Sequence, residues 1–244
     1  MFSKEALSEI ENLISVKEKI VIVTHYNPDG DAIGSSLGLK HFLRNRGVEA
    51  EIIVPNDFPK FLKWMPEAKK ITIAEYKKRK AIELIEAADV VFCLDFNTYT
   101  RIGMVGDWVS NSKAVKILID HHQQPGEFDF VYSDTNIPAT SQMVYHFIEA
   151  LGQENLVDEN AAKCLYTGIM TDTGGFRYRS TSAATHRIIA NLIEKGANPA
   201  EISSNTWDNN TVSRLKLLSL ILGRVELVKD NEIAVLWLKR TELQ

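Results

Sequence analysis

The stretch VTHYNPDGDAIGSSLG, residues 23–38, follows directly on the apolar residues Ile20, Val21 and Ile22. A short run of β-branched residues that stops at polar turn residues predicts a strand buried on both faces. The chain then continues as AIGSSLGLKHFLRNRG, with Leu37, Leu39, Phe42 and Leu43 on one side and Gly47 at its close, which predicts an amphipathic helix with a glycine cap. A buried strand that turns within a few residues into a helix is half of a crossover unit, so the stretch predicts a parallel sheet. The turn itself holds His25, Asp29 and Asp31, and Gly30 and Gly34 are read as letting it fold tightly. Asp29 and Asp31 read equally well as caps of the helix that follows.

The same alternation continues downstream. AEIIVP (50–55), DVVFCLDF (89–96), AVKILIDHH (114–122) and FDFVYS (128–133) predict further strands, and EYKKRKAIELIEAA predicts a helix with one charged face. Beyond about residue 136 the strand signal gives way to helices in PATSQMVYHFIEALG, DENAAKCLYTGIMTDTGG, TSAATHRIIANLIEKG, NPAEISSNTWD and TVSRLKLLSLILGRVEL. A last strand-like run, EIAVLWLK, has no later partner, and is expected to pair back onto the sheet or to belong to a further domain. The expected class is α/β: a parallel sheet with flanking helices, followed by a helical connector.

Composition limits the partners. Of 244 residues, 45% are apolar and 25% charged, as in ordinary soluble globular proteins. A net charge of −4 offers no general basic field, so a long nucleic acid is not expected as a partner, whereas a small anionic substrate met by a few placed cations is compatible. Cys93 and Cys164 sit in apolar runs at a spacing that matches no zinc or redox pattern, and they read as buried free thiols in a reducing compartment. The first residues, MFSKEALSEIENL, lack the apolar core of a secretory signal, and no apolar run approaches the roughly 18 residues of a membrane span. The reading is a cytoplasmic protein with no membrane partner.

Ligands of open parallel sheets bind beyond the carboxyl ends of the strands. At those ends stand His25 with Asp29 and Asp31, then Asp95, then Asp120, His121 and His122; Asp172, in GIMTDTGGF, closes a helix. Taken singly each reads plainly as a cap, a turn residue or a chance histidine. Together at one rim they would repel one another unless cations intervened. Mixed carboxylate and imidazole donors suit divalent ions such as manganese, and shared carboxylates suit a two-metal centre. A Walker-type phosphate loop is excluded because GDAIGSS has no lysine at the required place. TDTGG occurs once, whereas an aspartic protease needs two such loops.

Four segments, HYNPDGDAIGSSLGL, LDFNTYTRIG, IDHHQQP and TGIMTDTGGF, occur in this order within residues 19 to 180. They resemble the four motifs of the DHH phosphoesterases, a family named for the triplet seen here as Asp120, His121 and His122. Within it the chain resembles the bacterial oligoribonucleases and 3'-phosphoadenosine 5'-phosphate phosphatases, with cyclic-dinucleotide phosphodiesterases as close relatives. The resemblance implies that His25 and Asp29 hold one ion, that Asp31, His121 and Asp172 hold a second, and that Asp95 bridges them. It places Asp120 behind the histidine pair, fixing its orientation. His122 would face the scissile phosphate, stabilising charge or protonating the leaving oxygen. Arg101 is a further candidate for a catalytic, substrate or structural contact.

The ions implied are two divalent metals, manganese first, with magnesium, cobalt and iron compatible. The reaction implied is metal-assisted hydrolysis by water, without a covalent intermediate, of short oligoribonucleotides or the nucleoside bisphosphate. The rivals are a cyclic- or linear-dinucleotide phosphodiesterase, an inorganic pyrophosphatase or exopolyphosphatase, and a metal-dependent nucleotide-sensing module without turnover. The expected division is a catalytic core over 1–180, a helical connector over 181–225, and over 226–244 the start of the small C-terminal domain that such proteins carry. That domain's Gly-Gly-Gly-His motif is absent here, so it is read as missing or truncated. A homodimer is compatible with this reading.

Overall fold

The computed structural model describes residues 1–16 and 19–242. Lys17, Glu18, Leu243 and Gln244, which fall within the expected first and last segments, lie outside the described residues. The chain divides into two compact units, Met1–Ile202 and Ser203–Gln244.

The first unit opens with helix α1 (Lys4–Val16), which buries Ile10 and Ile14. It is followed by β1 (Ile20–Thr24), α2 (Gly30–Asn45), β2 (Ala50–Val54), β3 (Thr72–Ile73), α3 (Lys78–Ala87), β4 (Val90–Leu94), α4 (Met104–Asn111), β5 (Val115–Asp120) and β6 (Phe130–Ser133). Helices α5 (Thr140–Ala150), α6 (Glu159–Asp172) and α7 (Ala183–Glu194) come next, and α8 (Pro199–Thr206) runs across the boundary at Ile202. The six strands form one parallel sheet in the order β3-β2-β1-β4-β5-β6. The chain starts in the middle of the sheet, builds outward to one edge, then returns to build the other half. β1 and β4 therefore lie side by side at the point where the order reverses, with Ile20–Thr24 in register with Val90–Leu94.

Alternate residues on the strands face two different cores, as the two-residue period of a strand requires. Ile20, Ile22, Phe92, Leu94, Ile117 and Ile119 pack toward the face that also holds apolar residues of α1, α2, α5 and α6. Val21, Val23, Val91, Cys93 and Leu118 pack toward Ala81, Ile85, Val105 and Val109 of α3 and α4. Because both faces are covered, the two central strands are buried at every residue, which is why they read as unbroken apolar runs. Cys93 and Cys164 belong to these two different cores and are both free.

Helix α2 is not amphipathic. Every residue from Gly30 to Leu43 is buried. The reason is its packing against α6, to which glycines give close approach. A methyl group on Gly34 would lie 2.6 Å from the Cys164 carbonyl oxygen and 2.8 Å from the Gly168 nitrogen, and one on Gly38 would strike the Leu165 side chain. Gly30 and Gly34 thus serve helix packing rather than the turn, since both lie inside α2 without a positive φ.

In the second unit, helix α9 (Val212–Leu222) is capped by Thr211, whose hydroxyl accepts the Arg214 N–H. The helix expected to run on through Leu227 stops at Leu222, and the final strand finds its partner close by. β7 (Glu226–Val228) and β8 (Ile233–Val235) form an antiparallel hairpin rather than an extension of the sheet. Among the described residues no helix is long and apolar enough to cross a membrane.

Candidate metal centre

Because the sheet is parallel, the carboxyl ends of β1, β4 and β5 lie along one rim and are neighbours there. His25 follows β1. Its Nδ1 donates to the Tyr26 carbonyl at 2.9 Å, which leaves Nε2 turned toward two carboxylates, 3.5 Å from Asp95 Oδ2 and 3.9 Å from Asp29 Oδ2. The loop after β1 is tied to the turn after β4, where the Tyr26 N–H donates to the Arg101 carbonyl at 2.8 Å. Asp29 does cap α2, as its Oδ1 accepts the N–H groups of Asp31 and Ala32 at 2.9 and 3.1 Å. Its other oxygen is the one near His25, so one carboxylate performs both roles.

Asp31 sits in the first turn of α2 and is 1% exposed. Helix α5 has no side-chain cap of its own, and Asp31 supplies one from a distant part of the chain. Its two oxygens accept the N–H of Thr140 at 2.6 Å and of Ser141 at 2.8 Å. Thr140 then reaches the next carboxylate, as its hydroxyl donates to Asp95 Oδ1 at 2.9 Å. Asp95 adopts a φ of 65°, a left-handed conformation that aspartate tolerates better than most residues. It is 2% exposed and stands centrally, with Oδ1 3.4 Å from His121 Nε2.

His121 repeats the arrangement of His25. Its Nδ1 donates to the Ile137 carbonyl at 3.3 Å, and its Nε2 faces Asp95 and, at 3.6 Å, Asp172 Oδ2. Asp172 ends α6, where the partial negative charge of a helix C-terminus favours a cation. His122 differs. Its Nδ1 donates to Asp120 Oδ1 at 2.7 Å, and Asp120 is fully buried. The second oxygen of Asp120 is buried without a hydrogen-bond partner among the described residues.

These neighbours shift one another's protonation. Burial opposes charge on His25, yet the hydrogen bonds and charges of Asp29 and Asp95 outweigh it and raise its pKa to about 10. Burial likewise opposes charge on His121, and Asp95, Asp31 and Asp172 raise it to about 10. Burial pushes Asp31 well above the usual carboxylate range, with Asp95 and Asp172 adding to it. Asp172 is pushed up to about 6 by burial, against the opposing pull of His121 and with help from Asp95 and Asp29. Asp95 goes the other way. Its burial is overcome by hydrogen bonds from His121 and His25, which hold it well below the ordinary range. The rim is a place where positive charge is strongly stabilised.

The donor atoms fit metal ions. His25, Asp29 and Asp95 bring three donors within 4.8 Å of one another, Asp31, His121 and Asp172 form a second such group, and Asp95, His121 and His122 a third. With each Nδ1 of His25 and His121 committed to a backbone carbonyl, each Nε2 lone pair is available to an ion. In His122 it is Nδ1 that faces the cluster and is committed to Asp120, so its free nitrogen is Nε2.

Eight of the nine residues singled out in the sequence thus come together. Arg101 is the exception: its guanidinium is exposed and makes no ion pair or hydrogen bond among the described residues, while its backbone N–H donates to the Thr98 carbonyl and its carbonyl accepts the Tyr26 N–H. The sequence reading missed Thr140, Ser141 and Gly168. A methyl group on Gly168 would strike the Ser141 hydroxyl and stand 2.9 Å from Asp31 Oδ1, so this glycine gives the carboxylate its room. The one signal available was the Thr-Ser pair at the start of a helix, which suggests a cap and nothing more.

The doubly wound sheet carries carboxylates and imidazoles massed at its switch point, and the chain belongs to the DHH family, whose N-terminal domain matches residues 19–169. It is 36% identical over 194 residues to the bifunctional oligoribonuclease and PAP phosphatase NrnA of Thermus thermophilus, a match that covers 79% of this chain and 55% of that protein. It is 27% identical over 242 residues to the Bacillus subtilis protein of the same name, covering 97% of this chain and 72% of that protein. The crystal structure of an exopolyphosphatase-related protein from Bacteroides fragilis shares 39% identity and a TM-score of 0.96, over 99% of this chain and 72% of that one. The match to the Thermus protein thus spans little more than half of that protein's length.

Proposed function

We propose that this chain is a cytoplasmic, metal-dependent phosphoesterase that hydrolyses short oligoribonucleotides, 3'-phosphoadenosine 5'-phosphate, or both. The observation that carries the reading is the pair of donor groups that meet at Asp95: His25, Asp29 and Asp95 on one side, Asp31, His121 and Asp172 on the other, with His121 3.4 Å from the shared carboxylate. The substrates are those named in its relatives from Thermus and Bacillus. Two buried free thiols support a reducing compartment.

In this proposal His25 and Asp29 would hold one divalent ion, Asp31, His121 and Asp172 would hold the other, and Asp95 would serve both; manganese suits the mixed nitrogen and oxygen donors best. The chemistry such ions would supply is a more acidic water and positive charge for the phosphoryl oxygens. The remaining work belongs to the chain. Asp120 holds His122 by its Nδ1, so that Nε2 is free to stabilise charge on the phosphoryl group or to protonate the leaving oxygen. The N-termini of α2 and α5 both meet the site, and their first N–H groups, which have no partner within the helix, donate to Asp29 and Asp31 and fix them in place.

The test is a release assay with manganese, in which a 5'-phosphorylated diribonucleotide, the nucleoside bisphosphate and pyrophosphate are compared for the chain and for its Asp95→Ala variant. Hydrolysis of either nucleotide, lost together with manganese binding in Asp95→Ala, is the expected result. Rapid turnover of pyrophosphate alone would assign the chain to the pyrophosphatases. Tight nucleotide binding without product would make it a sensor.

A further inference from the structure

Beside the metal centre, on its β1 and β2 side, lies an open cavity of about 480 Å³ between two loops at the carboxyl rim of the sheet. One loop, after β1, contributes Asn27, Pro28 and Asp29; the other, after β2, contributes Asp57 through Phe61. Asp29 belongs to both the cavity and the first donor group, so the cavity adjoins the site.

The walls are built in advance. Asn27, in a left-handed conformation with φ 56°, and Asn56 bind each other reciprocally: the Asn27 N–H donates to Asn56 Oδ1 at 2.7 Å and Asn56 Nδ2 donates to Asn27 Oδ1 at 2.8 Å. This pair fixes the distance between the two loops. Asp57, the acidic group of the second loop, is neutralised by Lys63, whose ammonium lies 2.7 and 2.9 Å from its oxygens and 5.2 Å from the centre of the Phe58 ring. The Lys60 ammonium is exposed and lines the cavity; its charge helps to hold Asp57 ionised, but it makes no hydrogen bond or ion pair among the described residues. Phe61 is half-buried and presents an aromatic wall.

An aromatic wall, proline and phenylalanine around it, and one free cation form a combination that suits a nucleoside phosphate: a base stacks on a ring, and an ammonium meets a phosphate. The volume is in the range of ordinary small-ligand sites. Resting on the phosphoesterase reading, we infer that this cavity is the subsite for the nucleoside next to the scissile phosphate, with its base against Phe61 and its non-scissile phosphate on Lys60. The site then selects nucleotides that carry a second phosphate, which is the feature shared by a nucleoside bisphosphate and a 5'-phosphorylated oligonucleotide. Pyrophosphate, which has no base, does not use it.

Two readouts test this separately from turnover. In steady-state assays Phe61→Ala and Lys60→Ala each raise KM for the nucleoside bisphosphate roughly tenfold, about the 1.4 kcal/mol of one stacking or charge-assisted contact, with kcat near wild type and pyrophosphate kinetics unmoved. Lys60→Arg restores KM. In NMR titrations of the magnesium-loaded chain with the same bisphosphate, the amide signals of Lys60, Phe61 and Asn27 shift, and in Phe61→Ala those shifts need about tenfold more ligand. Unchanged KM in both alanine variants, or equal losses on pyrophosphate, would overturn the subsite. If the wild-type chain hydrolyses no nucleotide the phosphoesterase reading falls, and the titration still decides the cavity: saturable shifts at these three residues support it and their absence rejects it.

Discussion

At the scale of single residues the site depends on side chains that each have two jobs. Asp29 caps a helix and faces His25; Asp31 sits in the first turn of one helix and caps another. Thr140 is the link between the two donor groups, since its N–H holds Asp31 and its hydroxyl holds Asp95. Groups that orient metal ligands in this way commonly cost about ten- to a hundredfold in affinity when lost. Thr140→Val keeps the shape and the N–H but removes the donor to Asp95, so we expect weaker manganese binding by that order, with Thr140→Ser restoring it. Isothermal titration with manganese reads the difference, and equal affinities in wild type and Thr140→Val would show that Asp95 needs no such support. The acidic and imidazole groups were legible in the sequence because charge at the end of a buried apolar run is costly unless a cation or a helix terminus meets it. Thr140 was not legible, because its role exists only once α5 is packed against the start of α2.

At the scale of elements, α2 shows where pattern reading fails. Its leucines and phenylalanine suggested one apolar face, whereas the helix is enclosed along most of its length, with glycines rather than apolar side chains filling the side toward α6. Lys40 and His41 are enclosed with it. Lys40 pairs with Glu67 at 3.7 Å. His41 is 1% exposed, bonds through Nε2 to the Pro66 carbonyl at 3.3 Å, and has its Nδ1 buried without a partner. Burial lowers the pKa of His41, with the Pro66 carbonyl opposing and Arg44 adding to the shift. A histidine held neutral in the folded state stabilises it above the unfolded pKa of about 6.5, and that stability is lost as pH falls through 6.5 toward the folded value, because the unfolded chain takes up the proton first. His41→Gln keeps a donor but cannot titrate. We therefore expect the urea midpoint of the wild-type chain to fall more than that of the variant between pH 7.5 and 5; parallel falls would mean that His41 is not a source of the acid sensitivity.

At the scale of the whole molecule, the parallel sheet followed from β-branched runs alternating with helices, and the rule that ligands gather at the carboxyl ends of such strands then located the site. β3 escaped notice because it is a two-residue edge strand, and the β7–β8 hairpin because its first strand reads as the tail of a helix. The pairing of the sheet also fixes what metal removal does. The proposed ligands come from the end of β1, the start of α2, the ends of β4 and β5, and the end of α6, so ions held there would tie together elements from residue 25 to residue 172. Without ions, five carboxylates of the family motifs share this rim with three imidazoles, and three of those carboxylates, Asp31, Asp95 and Asp120, are buried. A ligand that binds only the folded state stabilises it by about 2.7 kcal/mol when its free concentration is a hundred times Kd. For a unit of this size about 1 kcal/mol moves the melting temperature by roughly 2–4 °C, so saturating manganese should raise it by about 5–10 °C and a chelator should reverse the rise. Differential scanning calorimetry of wild type and Asp95→Ala checks the origin of the effect. The gain should vanish in the variant if the ions sit on this rim; an equal gain in both proteins would place the bound metal elsewhere.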